Sequence, residues 1–589
     1  MFTGGAFLVS PLGEHFLYSP ENFSEEHIEF ARTAEKFALK KIYPVRDRIE
    51  SFDKKLVLEI FRQCGEMGFL ACDIPEEYGG MALDKIASTI FAEKISYGQS
   101  SSFAVTFSAH TGIGTLPIVF FGNQAQKEKY LPKLATGEWL SAYALTEANS
   151  GSDALSVQTT ASLSEDGSYY LLNGSKQFIS NGSWADLLIT FGKVNGKKLS
   201  CFLVDPKSQG VILHEEKNKL GLRGSSTANI IFENVKVSTD DLLGQVGNGT
   251  EIALNTLNIG RFKLGASVLG GCKAVINESV NYALGRKQFG QPVAYFDALK
   301  KKVADMTIRT YALESIVYAT AGLLDKAINL ISPESTQYYR EVASGIEKFA
   351  LECSICKVYG SEALWLNTDD GLQIFGGYGF SEDYPLAKMT RDTRIDRIYE
   401  GTNEINRQII LGYLIKKTLL EELPIREKIK EIPGILKIKN EQTHKNFFSE
   451  GKQALKFSKY LFLYLFNEVL IKFGQDLLNE QQIGELLSDF ISDIFILDAT
   501  LSRLIIAEDR SNITGEVLSA IGSVLFGEKM LGFNSTAKKI LGSLHQGQEL
   551  KNALKILNQF ENKMFLNINI FNLKKKIADF IYQKKKYPI

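Results

Sequence analysis

The segment RIDRIYEGTNEINRQII, residues 394 to 410, sets one carboxylate, Glu400, between Tyr399 and Gly401, ahead of a return to apolar residues at helical spacing. A charge beside Tyr399 and Ile398 is costly to bury unless it is paired or working. The residues alone leave two roles open. It is either a carboxylate held at a helix start by the helix dipole, or a general base for a weakly acidic proton.

Other segments suit a flat, phosphate-bearing ligand. In YALTEANSGSDALSVQT (143–159), Thr146, Ser150, Ser152 and the Gly151 amide gather as small donors in a turn. KQFISNG (176–182) places Phe178 and Ser180 two apart, so a regular strand would show an aromatic face and a hydroxyl on one side. GRKQFG (285–290) offers Arg286 to a phosphate. Gly376-Gly377-Tyr378-Gly379 follows a long helical run and lacks the strand-then-helix setting of a dinucleotide fingerprint, so it reads as a turn that lets backbone approach a ligand. Cys353 and Cys356 form a lone CxxC inside a helical pattern, in a chain with six histidines. They read as ordinary helix thiols, and no metal site is expected.

The elements that must position these groups follow from periodicity. Residues 24–139 are helical in pattern, opening with Ser24 as a cap and Glu25 and Glu26 in the first turn. Residues 140–247 break into short β-rich runs separated by Gly, Asn, Asp and Ser. Helical spacing returns over 248–417. The charged stretch 418–447, with Pro424 and Pro433, reads as a linker, and 448–589 is helical again, after an N-terminal extension of residues 1–23. The order helical, β, helical excludes a doubly wound α/β fold and gives an α+β multidomain class.

With 44% hydrophobic and 23% charged residues over 589, the chain has material for several domains with a large core. A net charge of −1 gives no electrostatic case for nucleic acid. The six cysteines are sparse, as in a reducing compartment. The N-terminus lacks a secretory signal pattern, and no uninterrupted apolar run reaches the ~20 residues of a bilayer span. A cytoplasmic location is expected.

Taken together and in order, these motifs resemble the acyl-CoA dehydrogenases, FAD-dependent flavoenzymes that desaturate acyl-CoA thioesters at the α,β positions. The resemblance covers residues 24 to about 415. LNIGRF (257–262), residues 123–134 and the C-terminal extension are most similar to the very-long-chain branch, which is dimeric. It implies an N-terminal helical domain, a middle β-barrel domain and a helical bundle domain, here followed by a C-terminal helical domain.

The resemblance also implies roles. Glu400 matches the catalytic base, with its backbone N–H and a ribityl hydroxyl of FAD polarising the thioester carbonyl. Tyr143, Leu145, Thr146, Gly151 and Ser152 would contact the flavin or its ribityl chain, Ser152 also lying near the acyl-CoA. Phe178, where many relatives carry Trp, would cover one flavin face beside Ile179, and Ser180 would bond the reactive edge. Arg286, Gln288 and Phe289, with Gln373, Gly376 and Gly377, would hold pyrophosphate and adenosine, typically of the neighbouring subunit's FAD, and Thr402 and Glu404 would complete that cradle. Arg261 with Asn258 would sit at the CoA side of the thioester pocket, with Tyr399 and Gly401 also against substrate. Some branches carry the base just before the arginine of the GR motif; that position is Gly260, so Glu400 has no rival there. Val105 and Ala109 stand where medium-chain members have bulky polar residues, which favours a longer, more apolar channel.

The implied activity is α,β-dehydrogenation of a long-chain acyl-CoA in fatty acid β-oxidation, as a homodimer passing electrons to an electron-transferring flavoprotein. An oxygen-using oxidase-like flavoenzyme and a non-catalytic assembly protein on the same fold stay open as alternatives. For the C-terminal region two readings stand: packing on the catalytic core, or peripheral membrane contact through Ile577, Phe580 and Ile581 among lysines.

Overall fold

The computed structural model describes residues 2–12, 17–438, 447–510 and 515–588. Ser24 caps the helix Glu25–Phe37 by accepting from the His27 amide at 3.1 Å. The His27 ring meets the carboxylate of Asp84 at 3.0 Å, and Asp84 is itself the cap of Lys85–Ile95. One capping pair thereby fixes two helices against each other. Phe61, Phe91, Phe103 and Phe107 fill the core of these N-terminal helices.

The β region is a single eight-stranded sheet. Its path runs Val211–Glu215, Thr227–Ser238, Tyr169–Ser180, Thr160–Leu163, Leu187–Val194, Lys198–Val204, Leu242–Leu243, with Ser141–Ala144 added in parallel to Leu187–Val194. Side chains from across it, Ala142, Tyr170, Leu188, Phe202 and Ile230 among them, converge on one core, so the sheet curls round its own apolar face. Phe178 departs from the expected strand: its φ is 58° and the pairing register shifts between Lys176 and Ile179. This bulge turns Phe178 outward and leaves it 58% exposed.

Four long helices, Gly249–Gly285, Asp297–Asn329, Ala350–Phe375 and Asn403–Leu419, form the bundle. Gly265 and Gly360 let the first and third approach closely; a Cβ on Gly265 would lie 3.0 Å from the Cys356 carbonyl oxygen. That crossing aligns Arg261 and Lys357 beneath the segment carrying Glu400. Cys353 and Cys356 are buried on the same helix, with Cys356 against Thr320.

The stretch expected to be a linker carries a helix, Ile425–Lys437, anchored by buried Ile425 and Ile432. Pro424 stands at its N-cap, where a missing N–H costs little. Within that stretch, residues 439–446 lie outside the described residues.

Five further helices, Phe447–Phe473, Gln481–Arg510, Gly515–Leu544, Gly547–Met564 and Ile570–Lys584, pack onto the bundle. Buried Arg503 donates to Glu314 at 2.8 Å and to Glu21 at 3.0 Å. Lys273 joins Glu314 to Glu93, and the Tyr587 hydroxyl reaches Glu314 at 3.3 Å. The network ties the N-terminal extension, the N-terminal helices, the bundle and the C-terminal region together. Of the strip Ile577, Phe580 and Ile581 expected to be available to a bilayer, Ile577 and Ile581 are fully buried against Asp297–Asn329 and Gly515–Leu544, and Phe580 is half-buried against the same core. The strip seals the protein to itself. Among the described residues, 101–121 is long and apolar enough to cross a membrane, and 83% of it is buried in the interior.

Candidate active site

Glu400 sits in a tight turn between the 3-10 helix Arg394–Arg397 and the helix Asn403–Leu419. Its φ of 57° and that of Gly401, 78°, are both left-handed, which costs a non-glycine residue of order 1 kcal/mol or more. Hydrogen bonds hold the turn. The Asn406 amide donates to the carbonyls of Glu400, Gly401 and Thr402 at 3.3, 2.9 and 3.0 Å. Lys357 donates to the Gly401 carbonyl and to Asn403 at 2.7 Å each. Arg261 donates to the Glu400 carbonyl at 3.4 Å and to Asn258 at 2.8 Å.

The strained turn aims the carboxylate into a cavity. Tyr399, Glu400, Ser180, Gly260, Ala109 and Val105 line it, drawn from all three regions of the chain. Glu400 Oε2 is buried and has no hydrogen-bond partner. Burial pushes its pKa up to about 7, against the pull of Arg261 and Lys357. Beside it, burial lifts Asp396 to about 7 as well, and Asp396 accepts from the Tyr399 hydroxyl at 2.7 Å. Burial lowers Lys357 to about 8. The Tyr143 hydroxyl is a second buried polar atom without a partner.

The turn after Ser141–Ala144 is pinned by a pair that sequence reasoning missed. The Glu147 carboxylate accepts from Lys176 at 2.6 Å, from the Thr159 hydroxyl at 2.6 Å and from the Gln158 amide at 2.5 Å. Thr146 adds a backbone bond, its carbonyl accepting from Gln177 at 2.9 Å. Leu145 and Ile179 are buried, whereas Gly151 and Ser152 lie exposed at the turn's edge. Asn181 donates to the carbonyls of Thr106 and Ser141, locking Ser180 beside the cavity helix Ser101–Ala109.

The remaining expected residues stand elsewhere. Thr402 caps Asn403–Leu419 by accepting from the Ile405 amide, and Glu404 lies in that helix's first turn. Arg286 lies over the Tyr378 ring at 5.4 Å, bringing the Gln288–Phe289 hairpin next to the Gly376–Gly377 turn that follows Gln373. That face is open: Phe289 is 93% exposed, and side chains built on Gly376 or Gly377 would meet nothing within 4 Å. Arg261 and Gly401 act through the Glu400 turn and do not line the cavity. Lys357 and Asn406, unnoticed in the sequence, support the same turn; a lone lysine in the buried run CSICKVYGS was the available signal.

An exposed aromatic on a bulge, open glycine turns and two orphaned buried oxygens fit a large planar cofactor bearing phosphates. Phe178, Ser180, Tyr143 and the 146–152 turn would take its ring end, and the Arg286 and Gly376 face its phosphates.

Three domains of one family match the chain in order: the acyl-CoA dehydrogenase N-terminal domain over residues 24–138, its middle domain over 142–235 and its C-terminal domain over 247–414. A probable acyl-CoA dehydrogenase of Bacillus subtilis is 38% identical, covering 100% of this chain and 98% of that protein. The human very long-chain specific acyl-CoA dehydrogenase of mitochondria is 31% identical, covering 85% of this chain and 78% of that protein. The crystal structure of an acyl-CoA dehydrogenase complexed with FAD from Bacillus anthracis superimposes with a TM-score of 0.96 at 38% identity, covering 100% of both chains.

Proposed function

The chain belongs to the acyl-CoA dehydrogenase family of FAD-dependent oxidoreductases, and on that premise we propose that it converts a long-chain acyl-CoA to the trans-2-enoyl-CoA, with Glu400 taking the α-proton. One observation carries the reading: a buried carboxylate, raised to about 7, with one oxygen unpartnered at the end of a long cavity.

The α C–H of a thioester is a poor acid. A positioned base of matched pKa contributes about 10²- to 10⁴-fold, so the developing enolate needs stabilisation as well. Among the described residues the Glu400 backbone N–H donates to no group of the chain, which leaves it free for the thioester carbonyl. Arg261, Lys357 and Asn406 hold the turn, so carboxylate and N–H keep their relation while the proton moves to Oε2. Bound FAD supplies the acceptor for the hydrogen that leaves Cβ as hydride. Tyr399 and the apolar walls exclude water from the carboxylate, which keeps its basicity high.

The extent of the cavity supports a long chain. It continues past the small side chains of Val105 and Ala109 to Gln99 and Gly271. Eleven residues of the Gly249–Gly285 helix separate Gly260 from Gly271, about 16 Å at 1.5 Å per residue. That length takes about 13 extended carbons at roughly 1.25 Å each.

In this reading the enzyme serves β-oxidation in the cytoplasm as a homodimer, with Arg286, Phe289 and Gly376 facing a neighbouring subunit's FAD, and an electron-transferring flavoprotein collects the electrons. The exposure of Phe289 and of Phe380, at 93% and 86%, supports the interface. Anaerobic titration of the yellow holoprotein with straight-chain acyl-CoAs from butyryl to stearoyl tests the substrate class. Bleaching confined to the short members would reject it.

A further inference from the structure

The cavity at Glu400 carries polar groups at its far end as well as beside the carboxylate. One wall is three turns of Gly249–Gly285, met at Gly260, Leu264, Ser267 and Gly271. The other is the helix Ser101–Ala109, which faces the cavity with Ser101, Val105 and Ser108, the positions of that otherwise buried helix left partly open. A Cβ on Gly260 would touch Ile113, whereas one on Gly270 would touch Ser96. The walls therefore run antiparallel, and Ser96, Gln99 and Ser100 lie at the end far from Glu400. Near the base Ile113, Ala109 and Leu264 line it beside Ser180 and Lys263; at the far end Ser96, Ser100, Ser267 and Gln99 stand among Ala104, Val268 and Leu364.

The far end is short of a donor. Ser96 and Ser267 bond each other at 3.0 Å. Gln99 donates through Nε2 to Glu278 at 2.8 Å, which fixes the orientation of the amide. Its Oε1 is buried and has no partner. A plain hydrocarbon terminus would leave that oxygen unsatisfied.

We propose that the preferred acyl chain carries a hydroxyl, about eight to thirteen carbons from the thioester by the helical rise between Gly260 and the Ser267 to Gly271 turn, and that this hydroxyl donates to Gln99 Oε1 beside Ser96 and Ser267. The inference rests on the dehydrogenase reading, which places the thioester at Glu400. A terminal carboxylate is a poorer fit, because it would face the Gln99 carbonyl with the Glu278 carboxylate behind it.

Binding to the FAD-loaded Glu400→Gln protein, followed by perturbation of the flavin spectrum, tests this without turnover. The probes are 12-hydroxydodecanoyl-CoA and dodecanoyl-CoA, each measured with and without Gln99→Leu. The hydroxylated thioester is expected to bind about tenfold tighter, the scale of one added hydrogen bond, and Gln99→Leu to bring the ratio to one or below. Equal affinities with Gln99 in place, or a preference that survives Gln99→Leu, overturn the proposal. Bleaching of the wild-type flavin by either thioester is read separately. Its failure rejects the dehydrogenase reading, while the binding ratio still decides the hydroxyl.

Discussion

The carboxylate of Glu400 occupies the space that any side chain at Gly260 would need. A Cβ built on Gly260 falls 2.5 Å from Glu400 Oε2 and 2.9 Å from its Cδ. The carboxylate and the bare glycine on the opposite helix are two halves of one fitting, which explains why position 260 carries no side chain.

Gly260→Ala should therefore displace the carboxylate while leaving the helix intact, since alanine favours a helix. The rate of flavin reduction by acyl-CoA is expected to fall about 10²-fold, the scale of a misplacement near 1 Å. FAD content and melting temperature should stay close to wild type. An unchanged rate would mean that the carboxylate is not confined as described.

The raised pKa of Glu400 sets a pH dependence. In the proposed role Glu400 works ionised, so kcat/KM should rise with pH and level off above about 7. Stability runs the other way for this group. Its folded pKa lies above the ordinary 4.5, so the native state binds the proton more tightly, and that contribution is lost as pH rises through 7. Glu400→Gln removes the titration, so its melting temperature should gain on wild type between about pH 5 and about pH 8. A constant difference across that range would contradict the assignment.

Asn406 supports the left-handed turn with three donations to main-chain carbonyls. Asn406→Ala should cost about 2 kcal/mol of stability and slow flavin reduction more than tenfold through a loosened base. Urea unfolding and stopped-flow reduction measure the two effects. A loss of stability with no loss of rate would assign Asn406 to the fold alone.

Lys176 and Glu147 form a buried pair, with the lysine lowered to about 8 by burial. Lys176→Met leaves a buried carboxylate uncompensated and should cost about 3 kcal/mol. The double variant with Glu147→Gln should recover part of it. Because the pair pins the 146–152 turn, the single variant should also bind FAD more weakly, measured as flavin release on dilution. Additive costs in the two variants would show that the pair is not coupled.

Much of this was legible in the sequence, and the gaps have physical reasons. The Ser24 cap and the helical, β, helical order follow from local spacing. Glu400 was marked by its neighbours. Period-two alternation sets Phe178 on a regular strand and carries no sign of the bulge, which the pairing with Thr227–Ser238 imposes. The linker reading of 418–447 gives Pro424 and Pro433 more weight than the pair Ile425 and Ile432, which is buried. The Ile577 and Ile581 strip was correctly seen as apolar, but its partner helices lie far away in sequence. Lys176, Lys357 and Asn406 were missed for the same reason: each works through a residue distant in the chain or through a main-chain carbonyl.

The most direct test of the central claim is the anaerobic stopped-flow reduction of FAD by a long-chain acyl-CoA in wild type and in Glu400→Gln, both carrying a full complement of flavin. The account predicts rapid bleaching in wild type, and in the variant a spectral shift on binding with reduction slowed by about 10⁴-fold or more. Comparable rates in the two proteins would show that Glu400 is not the base.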